Sequence, residues 1–376
     1  MKVKIINMLR RIFYASYYMV SLIYIPMLYN KAYRRGTLSY LPAEDFEIWK
    51  KSMLKMLKEF CQAGNNFKIR QVINSFAKSK IHVIRKCEIY TKNTPIVVLC
   101  VKNDLRRIQM LVDHYRMLGV ERFAIMDNGS DDGTYEWLLA QQDIDLYRCF
   151  EKYKTKVKEG WMNRIISYYG FDHWYLLTDS DELLTYIGME EHPLSDIILY
   201  AQKNGIKRIK GLTIDMYSSK SLFEKTDDIQ KEFRWMDTDT YFEKETVAGK
   251  QKFKHYVGGP RYRLMDSCVK LSKYPLVYFD KGTISDNAHY QFPHELLPLS
   301  PCYFGILHYK FLDTDFDEYK KRALKDSGYY LGGHAYKQIM KYIETAGRSG
   351  FFYSGSIEYK NSDSLINIPI IKKIPF

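Results

Sequence analysis

The strongest constraint on the fold is a series of short apolar segments between residues 95 and 184, separated by stretches with helical spacing. The segments Ile96–Val101, Arg122–Met126, Ile144–Tyr147 and Trp174–Thr178 predict four strands. The first is apolar at every position, which is typical of a strand buried on both faces. Strands that alternate with helices in this way predict an α/β fold with a mostly parallel sheet and right-handed crossovers.

Polar residues directly follow three of the predicted strands. They are Lys102, Asn103 and Asp104 after the first strand, Asp127 and Asn128 after the second, and Asp179, Ser180 and Asp181 after the fourth. Ligands of parallel α/β sheets bind beyond the carboxyl ends of the strands. The three loops are therefore predicted to converge on one crevice.

The acidic cluster from Asp179 to Glu182 is the best candidate for chemistry. Residues two apart in an extended chain point the same way, so Asp179 and Asp181 can present two carboxylates together. Mg²⁺ or Mn²⁺, held by carboxylates and substrate phosphates, neutralises the charge on a departing diphosphate. An isolated pair of this kind is more often a surface turn, because Asp favours turns. Its position after an apolar strand favours the metal site.

Four motifs occur in order along the chain. They are Lys102-Asn103-Asp104, the turn from Asp127 to Thr134 with Asn128, Ser130 and Asp132, then Gly160 with Asn163, and finally Asp179-Ser180-Asp181-Glu182. Together they resemble the nucleotide-binding half of family 2 glycosyltransferases, particularly a bacterial branch in which Asp104 is usually glutamate. The resemblance implies a GT-A type fold, in which helices flank a Rossmann-like, mostly parallel sheet. It also implies a nucleotide-diphosphate-sugar donor and Mn²⁺ or Mg²⁺.

The resemblance also implies roles for individual residues. Asp104 and Asp127 are expected near the base and ribose, Asp179 near the ribose or metal, and Asp181 on the metal. The full set expected to bind the donor is Lys102, Asn103, Asp104, Asp127, Asn128, Ser130, Asp132, Asn163, Asp179, Arg261, Arg263 and Lys310. The two arginines and Lys310 would offset diphosphate charge. The alternative for these three is ordinary basic surface.

Histidines and a base remain to be assigned. A downstream histidine often completes the metal shell in such enzymes, so the expected metal ligands are Asp179, Asp181, His289 and His308. A lone histidine is more often structural. An inverting transfer also needs a carboxylate to accept the proton of the acceptor hydroxyl. Asp215, at the end of a strand-like run, is the predicted base, with Glu182 as a second catalytic candidate, although a turn-forming Asp explains Asp215 equally well.

The N-terminus carries a separate signal. The segment Phe13–Asn30 has no charge, lies between basic stretches, and is near the minimum of about 17 apolar residues for a membrane span. Its five tyrosines and Pro26 dilute the apolar run, so an interfacial or monotopic helix on an anionic membrane face is expected. A helix buried against the main domain is the alternative. A cleavable signal peptide is disfavoured, because tyrosines interrupt the apolar region.

The predicted organisation has three parts. A basic helical segment covers residues 1–92, with Pro42–Ile89 read as helical; a GT-A domain covers 93–312, and a C-terminal extension covers 313–376. Within the domain, residues 93–184 form the nucleotide-binding half and 185–312 the acceptor half. The six cysteines are widely spaced with no paired motif, which indicates reduced thiols in a cytosolic compartment.

The sequence thus predicts a metal-dependent, inverting glycosyltransferase at the cytosolic face of the cell membrane. It would transfer a sugar, most simply from a UDP-sugar, to a glycan or lipid-linked acceptor of lipopolysaccharide or another surface polysaccharide. A nucleotidyltransferase is a second hypothesis, but the Gly-rich phosphate loop usual near its first strand is missing. The formal charge of +13 also allows a non-catalytic binder of polyanions or membranes. No nucleic-acid module is recognisable, so nucleic acid is not an expected partner.

Overall fold

The computed structural model describes residues 2–38, 41–62, 66–87, 94–248, 251–287, 289–324 and 333–376. Within these ranges one large sheet dominates. Its strands are β1 (His82–Arg85), β2 (Ile96–Val101), β3 (Arg122–Asp127), β4 (Ile144–Arg148), β5 (His173–Leu177), β6 (Glu182–Thr185), β7 (Arg208–Met216), β11 (Ser272–Phe279) and β14 (Cys302–Tyr309). They lie in the order β1-β4-β3-β2-β5-β11-β7-β14-β6.

Most strands of this sheet share one direction. Parallel pairing joins β4 to β3, β3 to β2, β2 to β5, and β7 to β14. Strand β11 is antiparallel to both β5 and β7, so β7 and β14 run in the same direction as β2 to β5, whereas β1, β6 and β11 run against them. Mixed sheets of this kind retain the parallel core of an α/β fold. The predicted α/β class is confirmed, and the arrangement is consistent with the expected GT-A type.

Helices lie between successive strands and cover both faces of the sheet. They are α4 (Leu105–Met117), α5 (Thr134–Ala140), α6 (Thr155–Ile166) and α7 (Leu194–Lys203). The chain runs from β2 outward through β3 to β4 and then returns to place β5 on the other side of β2. At such a change of direction a crevice opens beyond the carboxyl ends of the two strands. The predicted site residues after β2 and β5 lie at this crevice.

The part of the chain after residue 185 supplies three central strands of the same sheet. All nine residues of β7 are buried, including Arg208, Lys210 and Asp215. In the pairing of β14 with its neighbours, His308 lies opposite Asp215 of β7 and Glu182 of β6. The sheet therefore brings together three residues that are far apart in the sequence.

Other elements lie outside the large sheet. They are α8 (Ile229–Glu232), β8 (Trp235–Met236), β9 (Phe242–Ala248), β10 (Gln251–Val257), α9 (Gly259–Met265), β12 (Ile284–Asn287), β13 (Tyr290–Phe292), α10 (Asp315–Ala323), α11 (His334–Ala346) and β15 (Ile357–Glu358). Strand β15 pairs with β8, and Ile368, Ile371 and Ile374 are buried in the main core. The C-terminal residues thus pack onto the body of the protein.

The N-terminal region contains three helices, α1 (Lys2–Arg34), α2 (Ala43–Gln62) and α3 (Asn66–Lys78). The prediction of helix from Pro42 to Ile89 is wrong at β1, which pairs antiparallel with β4 at the edge of the sheet. The side chains of β1 are mostly exposed, so its sequence carries no apolar pattern that would indicate a strand. Ile89 lies outside the described residues.

Helix α1 is only partly covered by the protein. By length and composition it could cross a membrane, although a core helix or a signal sequence passes the same test. Ile25, Leu28 and Tyr29 pack into the core formed with α2 and α3. Other apolar side chains of the helix are exposed, namely Ile5, Ile6, Met8, Leu9, Ile12, Phe13, Met19, Val20, Leu22, Ile23 and Met27.

Helix α3 lies directly against α6. A Cβ atom at Gly160 would be 2.4 Å from the Cβ atom of Ser75, so the two backbones meet where α6 has no side chain. Ser75 Oγ donates to the carbonyl of Val157 at 2.8 Å, and Trp161 Nε1 donates to Ser79 Oγ at 2.8 Å. These contacts fix the helix that carries Lys158, which contacts the acidic cluster.

Candidate functional site

The loops after β2 and β3 are joined by hydrogen bonds. The backbone N–H of Asn103 donates to Ser130 Oγ at 2.9 Å, and Asn103 Nδ2 donates to Asp131 Oδ1 at 2.7 Å. The backbone N–H of Asp104 donates to Thr134 Oγ1 at 3.1 Å. Asn103 adopts a left-handed backbone (φ 50°), which Asn tolerates better than most residues. Two of the three predicted loops therefore form one unit.

The loop after β5 meets this unit at Asp104. Ser180 Oγ donates a short hydrogen bond to one oxygen of the Asp104 carboxylate. The other oxygen accepts from Arg107 at 3.0 Å, and Arg107 also forms an ion pair with Asp315. Burial raises the pKa of Asp104, although Arg107 and Ser180 oppose the shift. The predicted convergence of the three loops is thus present in the structure.

Lysines from other elements neutralise the acidic cluster. Asp179 pairs with Lys158 of α6 and, at 2.8 Å, with Lys273 of β11. Lys273 also contacts Glu182 at 2.6 Å, and Lys310 contacts Asp181 at 3.1 Å. Burial alone would raise the pKa of Asp179, but the two lysine ammonium groups outweigh it and hold the pKa below its ordinary value. Asp179 is therefore ionised, and the ammonium groups of Lys158, Lys273 and Lys310 lie against the carboxylates of the cluster.

His308 lies between two carboxylates. Its Nδ1 is 2.7 Å from Asp215 Oδ1, and because a carboxylate can only accept, Nδ1 carries a proton. Its Nε2 faces Asp181 Oδ2 at 3.3 Å. Arg261 holds both oxygens of Asp215 at 2.6 and 3.0 Å. Although burial opposes it, Arg261 and His308 keep the pKa of Asp215 well below its ordinary value.

These residues fit a divalent cation. Asp181, Glu182 and His308 each offer one ligand atom, and these atoms lie within 4.8 Å of one another. Two carboxylate oxygens and an imidazole suit Mn²⁺, and the carboxylates also suit Mg²⁺. A metal-bound histidine usually donates its other ring N–H to a carboxylate, as His308 does to Asp215. Asp179, expected among the ligands, is not in this group, which contains Glu182 instead.

His289, the other expected histidine ligand, is placed differently. Its Nδ1 lies 3.1 Å from the backbone carbonyl of Ser272. Burial and the neighbouring ammonium of Lys273 lower the pKa of His289 to about 3, so the ring is neutral at pH 7. The structure places it beside Lys273 and outside the group formed by Asp181, Glu182 and His308.

Several residues predicted to bind the donor form hydrogen bonds within the protein that maintain loop shape. Asp127 is fully buried, accepts the backbone N–H groups of Gly129 and Ser130 at 3.0 Å each, and forms an ion pair with Arg148. Asn128 Nδ2 donates to the carbonyls of Cys149 and Glu151. The carboxylate oxygens of Asp127 are therefore engaged within the protein.

Asp132, Asn163 and Arg263 also bond to other parts of the chain. Asp132 accepts the backbone N–H groups of Leu105 and Thr134 at 3.2 and 3.0 Å. The amide of Asn163 bonds to both backbone groups of Ser285, which ties α6 to β12. Arg263 pairs with Asp237, in a cluster separate from the acidic residues. Lys102 is exposed beside the loops.

The structure does not favour Asp215 as the general base. It is 2% exposed, and its oxygens are taken by Arg261 and His308. Glu182, the second catalytic candidate, has a side chain 3% exposed and paired with Lys273. Asp179 is more open than either, with 33% of its side-chain surface exposed. A base must reach the proton it removes, and the buried carboxylate of Asp215, held by Arg261 and His308, is poorly placed to do so.

Sequence reasoning named Lys310 but missed Lys158 and Lys273, the other two ammonium groups of the cluster. Lys158 lies two residues before the motif residue Gly160, whereas Lys273 lies in β11, away from the four motifs. The proximity of Lys158 to Gly160 was therefore a usable signal. Arg107 and Asp315 gave no comparable signal, because their pairing depends on a contact between distant segments.

Comparison with known proteins does not identify the family of this chain. No family profile matches the chain, and no curated protein matches it. Among solved structures, the chain is similar to S. aureus TarS 1-349, with 11% identity and a TM-score of 0.29 over 68% of this chain and 73% of that one. It is also similar to HddC from Yersinia pseudotuberculosis, with 11% identity and a TM-score of 0.28 over 60% of this chain and 97% of that one. Likeness at this level carries no argument, so the case for function rests on the site.

Proposed function

We propose that this protein is a glycosyltransferase that transfers a sugar from a nucleotide-diphosphate-sugar to a glycan or lipid-linked acceptor. The observation that carries the proposal is the group formed by Asp181, Glu182 and His308 at the edge of the sheet, with lysines around it. A UDP-sugar is the first donor to test, and inversion at the anomeric carbon is the expected outcome. The product would belong to a surface polysaccharide or lipopolysaccharide.

The charges of the cluster suit a diphosphate donor. A divalent cation held by Asp181, Glu182 and His308 would neutralise charge on the departing diphosphate. Lys158, Lys273 and Lys310 are each paired with carboxylates, and these ammonium groups can also bind phosphate oxygens. The cluster would thereby bind the anionic leaving group through side chains that are already in place.

Asp215 acts in this proposal as a positioning residue. By accepting the Nδ1 proton of His308, it directs Nε2 towards Asp181. Arg261 compensates the buried charge of Asp215. The loop unit around Asp104 and Asn103 would line the nucleoside side of the crevice, where Asp104 can accept from a ribose hydroxyl or a base N–H.

The test is release of nucleoside diphosphate from a panel of UDP-, GDP- and CDP-sugars with Mn²⁺ or Mg²⁺, with mass detection of the product. We expect release from one donor class, dependence on the cation, and a glycoside product. Release of pyrophosphate from a nucleoside triphosphate and a sugar phosphate would instead indicate a nucleotidyltransferase. No turnover of any donor, together with salt-sensitive binding to anionic vesicles, would favour the non-catalytic binder.

We also propose that α1 attaches the protein to an anionic membrane surface. The exposed apolar side chains of the helix, such as Ile12, Val20 and Ile23, lie between the basic residues Arg10 and Arg34. Apolar side chains with basic neighbours suit the headgroup region of anionic lipids. The covered residues of its C-terminal half would keep the helix joined to the body.

Vesicle co-sedimentation tests the attachment. The chain with Ile12, Val20 and Ile23 all changed to Glu should lose binding to vesicles that contain phosphatidylglycerol. The control variant carries Val247→Glu and Leu299→Glu, at exposed apolar residues outside α1. It should still bind these vesicles. Equal binding by both variants would contradict the proposal.

A further inference from the structure

A surface cavity of about 390 Å³ lies beyond the carboxyl end of β7. It is lined by Ser218, Ser219, Lys220, Asp227, Asp228, Lys231, Glu232, Arg234 and Trp235. Its volume falls in the range of about 300 to 1,000 Å³ that is usual for small-molecule sites. None of the acidic cluster lines it, so the cavity is a feature of its own.

The cavity is nevertheless connected to the candidate active site. Trp235 pairs through both backbone groups with Tyr217, at 3.0 Å each, and Tyr217 lies two residues beyond Asp215. Two residues of extended strand span about 7 Å. Directly opposed residues, and residues two apart on one strand, project from the same face. Asp215, Tyr217 and Trp235 therefore lie on one face of the sheet.

The segment that forms the cavity is also fixed to the donor side of the crevice. Arg106 donates a short hydrogen bond to the carbonyl of Thr226 and pairs with Asp313 at 2.9 Å. Its neighbour Arg107 holds Asp104. The backbone N–H of Phe223 donates to the carbonyl of Phe311, just after β14. The cavity is thus held against the same strand ends that carry His308 and Asp215.

The charges of the lining indicate an uncharged ligand. The chain as a whole carries +13, yet the cavity has equal numbers of acidic residues (Asp227, Asp228 and Glu232) and basic residues (Lys220, Lys231 and Arg234). Lys220 pairs with Glu232 at 2.7 Å, so part of this charge is already satisfied. A site for a phosphate or a carboxylate would need an excess of cations.

The remaining side chains suit hydroxyl groups and a ring. Among the described residues, the side chains of Asp227 and Lys231 form no hydrogen bond or ion pair, so an acceptor and a donor are available. Trp235 is half-buried and packs edge-on against Phe352 at 4.9 Å between ring centroids. An indole ring offers both an apolar face for the C–H groups of a pyranose and an N–H donor.

We propose that this cavity binds the saccharide acceptor, as a neutral hexose that packs on Trp235 and bonds to Asp227 and Lys231. The inference rests on the proposed glycosyl transfer and adds to it the chemical class of the acceptor. The two residue steps from Tyr217 back to Asp215 span about 7 Å, so a hydroxyl of the bound hexose could extend from the cavity towards the acidic cluster. Binding of the free glycoside is measurable without any donor.

The test is saturation-transfer NMR on the full chain with methyl glucoside, methyl galactoside, the methyl glycoside of N-acetylglucosamine, and methyl glucuronide as the charged comparison. We expect at least one neutral glycoside to give a signal. Trp235→Ala should reduce the signal at least fivefold, Trp235→Phe should retain most of it, and Asp227→Asn should weaken it about threefold. Asp227 is exposed, so that variant tests the site even if Trp235→Ala fails to fold.

A second cavity provides a matched control. It has a volume of about 400 Å³ and also contains an aromatic ring, Phe376, but it is lined by His192 and the last residues of the chain and has no carboxylate side chain. Phe376→Ala should leave the glycoside signal unchanged. The proposal is overturned if only methyl glucuronide gives a signal, if no glycoside does, or if Phe376→Ala acts like Trp235→Ala.

The donor assay distinguishes failure of the acceptor assignment from failure of the proposed transfer reaction. If the unaltered chain turns over a nucleotide-sugar but binds no neutral glycoside, the acceptor assignment fails and the proposed function stands. If a neutral glycoside binds at Trp235 but no nucleotide-sugar is turned over, the cavity is a saccharide site and the proposed transfer reaction fails.

Discussion

Two groups of predicted site residues use their polar side chains in opposite ways. In the loop after β3, Asp127, Asn128 and Asp132 bond mainly to backbone groups of their own and neighbouring loops. In the acidic cluster, Asp179 and Asp181 pair with ammonium groups from α6, β11 and the residue after β14. The first group is held mainly by backbone groups, whereas the ammonium groups of lysines balance the charge of the second.

This difference distinguishes residues that maintain the shape of a site from residues that can replace a protein partner with a ligand. If a ligand displaces the two backbone N–H groups from the carboxylate of Asp127, the turn loses the hydrogen bonds that hold it. A carboxylate paired with lysine can exchange that ammonium for a metal ion, while the lysine binds a phosphate. Substitutions in the loop should therefore change stability alone, whereas substitutions in the cluster should also change ligand binding. Four predictions test this division.

The largest effect is expected from Lys273→Met. Loss of this ammonium leaves the carboxylate of Glu182, whose side chain is 3% exposed, unpaired beside Asp179. Removing one partner of a buried ion pair costs about 3–5 kcal/mol. Urea denaturation should show that loss of unfolding free energy, and Mn²⁺ should recover part of it. Lys281→Met removes an exposed lysine and should cost less than about 0.5 kcal/mol; equal losses would contradict the assignment.

Asp181→Ala should come next, with a loss of about 100- to 1,000-fold in donor turnover, because the cluster would lose both a cation ligand and the partner of Lys310. Steady-state release of nucleoside diphosphate measures it. Asp317→Ala, which removes an exposed carboxylate of α10, is the control. Full turnover by Asp181→Ala would remove the acidic cluster from the reaction.

Asp215→Asn should weaken Mn²⁺ binding about 10- to 100-fold, because the amide no longer fixes the proton on Nδ1 of His308. Isothermal titration calorimetry gives the affinity directly. Asp237→Asn is a matched control, because Asp237 is also buried and also holds an arginine, Arg263, but forms no described contact with His308. If both variants lose Mn²⁺ affinity alike, Asp215 acts only through stability.

The smallest effect is expected from Asp127→Ala, at about 1–2 kcal/mol of unfolding free energy, since the backbone N–H groups of Gly129 and Ser130 lose their acceptor. Mn²⁺ affinity should stay within about twofold of the unaltered chain, because Asp127 is outside the ligand group. Thermal or urea unfolding and the same calorimetric titration provide both values. A large fall in affinity with unchanged stability would reverse the proposed division.

The first half of the sheet could be predicted because β2 to β5 are nearly continuous apolar runs. Strands β11 and β14 escaped prediction, and only the end of β7 was read as strand-like, since Arg208, Lys273 and His308 interrupt the apolar pattern of these strands while lying buried. The acidic cluster was identified from its motif. His308, Asp215 and Lys310 were named as separate candidates, but the contact of Asp215 with His308 was not predicted, because these two residues are 93 apart and meet through the pairing of β7 with β14.

The close contact of α3 with Gly160 limits how the chain can be shortened. Deletion of residues 1–80 would uncover Trp161 and release the helix that positions Lys158 against Asp179. Deletion of residues 1–12 would remove exposed apolar side chains such as Ile5, Leu9 and Ile12, and would leave Tyr14, Tyr17 and Tyr18 packed against the core. A more soluble chain that keeps its fold should therefore start near Phe13.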